Sequence, residues 1–205
     1  MSTVTTHIDV APTLFTLAGL PLRDDFDGTP MRIADATGVL HEHVAVEYWG
    51  QAMLEGGISN LGNRTVPNNT YKAVRILSDK YNLHYSVWCN NEHELYTLTV
   101  SLPFHNARKS PADKLHIMDF KISKVISRLD ALLLALKLCQ GKPCRTCVKP
   151  WGALHLDGSV QDLLDAMNNK YDAFYRGQFK VSFDRCEYGY VIDPEGPQTA
   201  LQACV

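Results

Sequence analysis

A chain of 205 residues with 45% hydrophobic residues is long enough to bury a core, and this composition argues against wholesale disorder. Its formal net charge of −2 argues against a nucleic-acid partner as the main task. The longest apolar run, Ala131 to Leu136, is far shorter than the roughly 20 residues a bilayer span needs, so no membrane partner is expected.

The start, "MSTVTTHIDV", has no basic, apolar leader, so the chain as written is expected in the cytosol. "VTTHIDVAPTLFTLAGLPLRDDFDGTPM" then reads like the inside of a larger domain. Residues 11–20 predict a short helix, with Pro12 in its first turn and Asp9 placed to cap it. Leu14, Leu17 and Ala18 share a face, with Phe15 beside them. Gly19 is a C-cap and Pro21 stops continuation. Asp24, Asp25 and Asp27 follow in a loop whose spacing departs from an EF-hand, so an ordinary surface loop is the favoured reading.

From His43 to Tyr96 the hydrophobic period becomes two. "HVAVEYWG", "YKAVRIL", "YNLHYSVWC" and "HELYTLTV" read as strands, the second and third joined by a turn at "SDK". If residue 41 continues the first strand, His41, His43 and Glu47 share one face. That set suits a metal, but a polar strand entry is the favoured reading. Asn63-Arg64-Thr65 and Asn68-Asn69-Thr70 are sequons in a polar loop, which makes Asn63 and Asn68 candidate glycosylation sites. With the six cysteines they suggest a secretory history.

Residues 98–120 show no clean period. From Val125 to Leu138 the helical period returns, with Val125, Leu129, Leu132, Leu133 and Leu136 on one face and Arg128 and Lys137 off it. Cys139, Cys144 and Cys147 follow in a turn-rich loop. Their spacing matches a plant-type [2Fe–2S] site with Cys186 as fourth ligand, and would also suit zinc. Proline and bulky residues between them favour structural disulfides or buried thiols among Cys139, Cys144, Cys147 and Cys186. Residues 159–177 predict the strongest helix, opened by a capping box at Ser159 and Asp162. Val160, Leu163, Leu164, Met167, Tyr171, Phe174 and Tyr175 form its apolar stripe. The whole reads as an α+β chain: an antiparallel sheet with amphipathic helices. It contains no G-x-S-x-G elbow and no G-x-x-x-x-G-K loop.

"THIDVAPTLFTLAGLPLRDDFDGTPM" resembles a late segment of the sulfatase family, the alkaline-phosphatase-like hydrolases. The family stretch "H-x-D-x-x-P-T-x-x-x-x-A-G", followed by Asp-Gly, is matched by His7, Asp9, Pro12, Thr13, Ala18, Gly19, Asp27 and Gly28. "EHVAVEYWG", "YKAVRILSDKYNLHYSVWCNNEHELY" and the stretch from Arg128 to Gly158 resemble the C-terminal region of fungal-type arylsulfatases. The resemblance implies that residues 1–40 are a remnant of the end of the catalytic domain and 41–205 the C-terminal subdomain of an α/β family fold. It implies hydrolysis of sulfate esters by a formylglycine, made from Cys-x-Pro-x-Arg or Ser-x-Pro-x-Arg, beside calcium or a similar divalent ion. Neither motif occurs here, so no catalytic and no metal residue is expected, and no cofactor in this chain. Inactivity alone is expected, or a non-catalytic interaction module derived from a sulfatase.

The start is then expected to be internal, and an intact parent to enter the secretory pathway. Leu14, Phe15 and Leu17 are expected to await a missing catalytic domain or another partner, since burying each is worth about 1.5–3 kcal/mol. Thr97 to Ala112 departs from the family pattern, which puts Asp-Leu and an Asp-Pro after "ELY".

Overall fold

The computed structural model describes residues 4–31, 33, 42–50, 52–53, 65–98, 120–138 and 149–197. A 3-10 turn, η1 (His7–Asp9), runs into helix α1 (Val10–Leu17). The helix ends where Gly19 takes a left-handed φ of 68° and the Leu20 amide donates to the Phe15 carbonyl at 2.9 Å. Leu14 and Leu17 are 58% and 66% exposed. Phe15 is half-buried, because the Phe26 ring meets it edge-on at 5.0 Å.

Six strands follow: β1 (His43–Tyr48), β2 (Ala52–Met53), β3 (Thr65–Val66), β4 (Tyr71–Leu77), β5 (Asn82–Trp88) and β6 (His93–Thr97). Four of them form an antiparallel sheet in the order β1-β4-β5-β6, while β2 and β3 make a separate ribbon. The β4–β5 connection is four residues, 78–81, closed by Ser78 N–H to the Tyr81 carbonyl and by Lys80 N–H to Ser78 Oγ. Side chains alternate across a strand, so Val74, Ile76, Tyr85, Val87 and Leu95 fall on one face and are buried. Tyr48, Tyr71 and Trp88 stand in register on the other, with ring centroids 6.0 and 4.8 Å apart.

Helix α2 (Phe120–Lys137) lies on the buried face of the sheet. Residues 128–135 are buried on every side of it, because the C-terminal segment covers the side the sheet leaves open. Arg128 and Lys137 therefore do not lie off the apolar face in solvent, as the period predicts; both side chains are about 3% exposed. The covering segment holds α3 (Pro150–Leu154), α4 (Leu163–Ala166), the 3-10 turn η2 (Asn169–Tyr171), α5 (Asp172–Gly177), β7 (Ser182–Phe183) and β8 (Glu195–Gly196). β7 and β8 pair with each other.

The single helix expected over 159–177 is instead broken in two. Asn168 is extended, and its side chain accepts from the Lys170 amide at 3.1 Å, a local alternative to the helical bond. The cap also moves. Asp162 accepts from Asp165 N–H at 2.8 Å and Asp165 accepts from Gln161 N–H at 3.1 Å, whereas Ser159 Oγ turns to Asp157. The apolar stripe still reaches the core through Val160, Leu163 and Tyr175, with Met167, Tyr171 and Phe174 packed against it; Leu164 is 43% exposed. Among the described residues, no helix is long and apolar enough to cross a membrane.

Candidate functional site

The matched N-terminal motif is a clasp. Asp9 is buried, and its carboxylate accepts from Thr6 N–H at 2.9 Å and from Thr29 N–H at 3.0 Å. Thr13, also buried, donates to the Asp9 carbonyl at 2.6 Å and accepts from Met31 N–H at 2.7 Å. The Asp9 and Thr13 side chains thus tie residues 29–31 back onto the helix start. Gly28 permits the closure, because a Cβ there would lie 2.2 Å from the Ile8 carbonyl oxygen. A cavity of about 170 Å³ separates this clasp from His43–Ala45 of β1 and Leu136 of α2. His7 itself is exposed. The motif's acid and hydroxyl are spent on backbone amides, so they hold shape and do not reach outward.

Two polar clusters pin α2. Tyr85 Oη donates to Asp130 Oδ1 at 2.7 Å and lies 2.6 Å from His93 Nδ1, so the imidazole donates there. Asp130 Oδ2 accepts from Val181 N–H. Burial pushes the Asp130 carboxyl and the Tyr85 phenol up; both are buried, while His93 is partly exposed. The second cluster centres on Arg128. Its Nε donates to the Ala166 carbonyl at 3.1 Å, one terminal nitrogen donates to Ser127 Oγ at 2.9 Å, the other pairs with Asp172, and Tyr175 lies under the guanidinium at 4.5 Å. Lys124 reaches the same carboxylate at 2.9 Å. Hydrogen bonding from Lys124 first, and from Arg128, holds Asp172 below the usual carboxylate range. Arg176 and Lys180 extend this wall into a basic hollow of about 250 Å³, in which Asp172 is the one lining acid among the described residues.

A third cluster is buried beneath β8. Glu195, 3% exposed, lies 2.7 Å from Lys72 Nζ and 4.0 Å from Lys137 Nζ. Lys72 also pairs with Glu47 at 2.7 Å, and Lys137 donates to the Pro197 carbonyl at 2.6 Å. Burial pulls Lys137 down to about 8, and Lys72 down as well. A lysine depressed in the folded state binds its proton more weakly there than in the unfolded chain, so stability rises with pH through the window between the two values. We expect the wild type to gain about 2 kcal/mol over Lys137→Met between about pH 8 and pH 10, with parallel curves below pH 8. Urea unfolding across that range checks it; curves parallel throughout would mean that water reaches the ammonium.

Cys186 is found in a disulfide with Cys89, at a Cα–Cα distance of 5.0 Å. Cys89 was not singled out by the spacing of the other cysteines. Its signal was position, directly after a buried strand. Cys139, Cys144 and Cys147 lie outside the described residues, as do Asn63, His41 and most of the stretch from Thr97 to Ala112. Asn68 is described, exposed and at φ 60°. Glu47 is held by Lys72 and by Trp49 Nε1 at 3.1 Å, and Asp25 by Arg23. Among the described residues, no group of three or more His, Cys, Asp or Glu side chains could hold a metal ion.

The described residues thus define an α+β unit, an antiparallel sheet backed on one face by helices, with a structural clasp ahead of it. Among curated proteins, the chain is 37% identical over 194 residues to the sulfatase ppz1 of Metarhizium majus (strain ARSEF 297), covering 94% of this chain and 38% of that protein. It is 35% identical to an arylsulfatase of Chlamydomonas reinhardtii and 31% to one of Volvox carteri, each over 90% of this chain and 29% of the relative. No family model matches the chain. No solved structure matches it. The chain belongs to the sulfatase family, and it spans well under half the length of these relatives.

Proposed function

We propose that this chain is the C-terminal portion of an arylsulfatase-like sulfuric ester hydrolase, inactive on its own. In this reading residues 1–40 are the end of the catalytic domain and 41–205 its C-terminal subdomain. The observation that carries it is the match over 94% of this chain to only 38% of a sulfatase, in a sequence with no Cys-x-Pro-x-Arg or Ser-x-Pro-x-Arg. The formylglycine and the calcium or similar ion belong to the rest of such an enzyme. This chain supplies a folded wall beside it, and the clasp at Asp9 and Thr13 supports a role in shape.

The exposed Leu14 and Leu17 give this wall an apolar contact for the catalytic part. The same exposure favours the second reading, a non-catalytic module that docks on another protein. The purified chain is expected to release no product from an aryl sulfate. Co-expressed with the N-terminal part of the Metarhizium majus relative, it is expected to form a complex that Leu14→Asp with Leu17→Asp disrupts. Turnover by the chain alone overturns the first reading, and a stable complex indifferent to both substitutions removes the apolar contact from it.

A further inference from the structure

We propose that Asn68 carries an N-linked glycan, added before the chain folds. The sequon is complete, Asn68-Asn69-Thr70, and no proline intervenes. It lies in the connection between β3 and β4, where Asn68 is exposed in a left-handed turn, so a sugar chain there displaces nothing from the core.

The third residue fixes the timing. Thr70 is 3% exposed, and its hydroxyl accepts from Gly50 N–H at 2.9 Å and donates to the Glu187 carbonyl at 3.3 Å. A transferase that reads this hydroxyl meets it only before residues 50 and 187 close over it. The transfer needs a lipid-pyrophosphate-linked oligosaccharide. The Asn68 amide nitrogen bonds to the sugar's anomeric carbon, the carbon–oxygen bond to pyrophosphate breaks, and the amide proton leaves with the lipid pyrophosphate.

An independent observation points to the same compartment. Cys89 and Cys186 are joined, which takes two electrons and two protons to an oxidant and is characteristic of secreted proteins. The two features are neighbours, since Cys89 N–H donates to the Thr70 carbonyl at 2.9 Å. The Trp49 ring beside Gly50 packs against Tyr190, which is 70% exposed, so an apolar patch near the sequon is left for a sugar chain to shield.

The test uses the protein from its native source. Trypsin cuts after Arg64 and Lys72, so Asn68 is released in peptide 65–72, apart from Asn63. Amidase treatment in heavy-oxygen water is expected to convert Asn68 to labelled aspartate in that peptide. Recovery of the peptide wholly unmodified before treatment, or a glycan on Asn63 alone, overturns the proposal. In a secreting host, Asn68→Gln is expected to lose one glycan's gel shift, while Thr70→Ser keeps it. Equal mobility of wild type and Asn68→Gln overturns it too. Neither readout depends on sulfatase activity.

Discussion

Replacing Glu195 by alanine is expected to destabilise the folded chain by about 3–5 kcal/mol, because removing one partner of a buried ion pair strands the other charges. Lys72 and Lys137 both face this carboxylate, and neither side chain is more than 4% exposed. Glu47 remains for Lys72 after the substitution, but it is 39% exposed and belongs to the rim of the sheet. The cost therefore falls mostly on Lys137 and on the pairing of β8 with β7. Urea unfolding at neutral pH with the disulfide intact measures it as a lower midpoint at unchanged slope. Replacing Lys72, Lys137 and Glu195 together by apolar residues of similar size is expected to cost much less than Glu195→Ala alone, because no charge is then left stranded. A single-substitution loss below about 1 kcal/mol would show that water already reaches the cluster.

Opening the disulfide is the second large effect. Cys89→Ser with Cys186→Ser is expected to cost about 2–5 kcal/mol, since the link closes a loop of 97 residues and limits the unfolded chain. The native consequence is local as well. Asn91 both donates to the Phe183 carbonyl and accepts from its amide, each at 2.8 Å, so β7 is held to the end of β5 by the disulfide and by these two bonds together. Denaturation of the wild type with and without reductant measures the same quantity without mutation. Equal midpoints would mean that those bonds and Thr70 hold the segment unaided.

The sheet was legible because the large apolar side chains of its middle strands fall on one face, although Ala73 and Ser86 on the other are buried too. Alternation at Val74, Ile76, Tyr85 and Val87 writes the strand period directly. The long helix was legible for the opposite reason only in part: its leucines mark one face, yet it is buried all round, so Arg128 and Lys137 read as solvent residues. Nothing local announces that Asp172 and Glu195 come from 44 and 58 residues away to receive them (172 − 128 and 195 − 137). The break at Asn168 was masked by an apolar stripe that survives the break. At the clasp, residue types were legible and roles were not. Asp9, Thr13 and Gly28 look like functional positions until their partners, all backbone groups of residues 6–31, are seen.

Helix α2 is covered on one side by residues that follow it in the chain, and this constrains the order in which the unit can fold. The contacts that close it span 97 residues between Cys89 and Cys186, 109 between Glu42 and Trp151, and 117 between Thr70 and Glu187. Contacts of such range slow folding, because the loop must close before any of them forms. As the chain emerges from the ribosome, the apolar face of the sheet must wait for α2, and α2 must wait for its C-terminal cover. During that interval a half-finished chain shows hydrophobic surface to whatever surrounds it, so its demand for a chaperone is written into the distance along the chain between α2 and the segment from Pro150 that covers it.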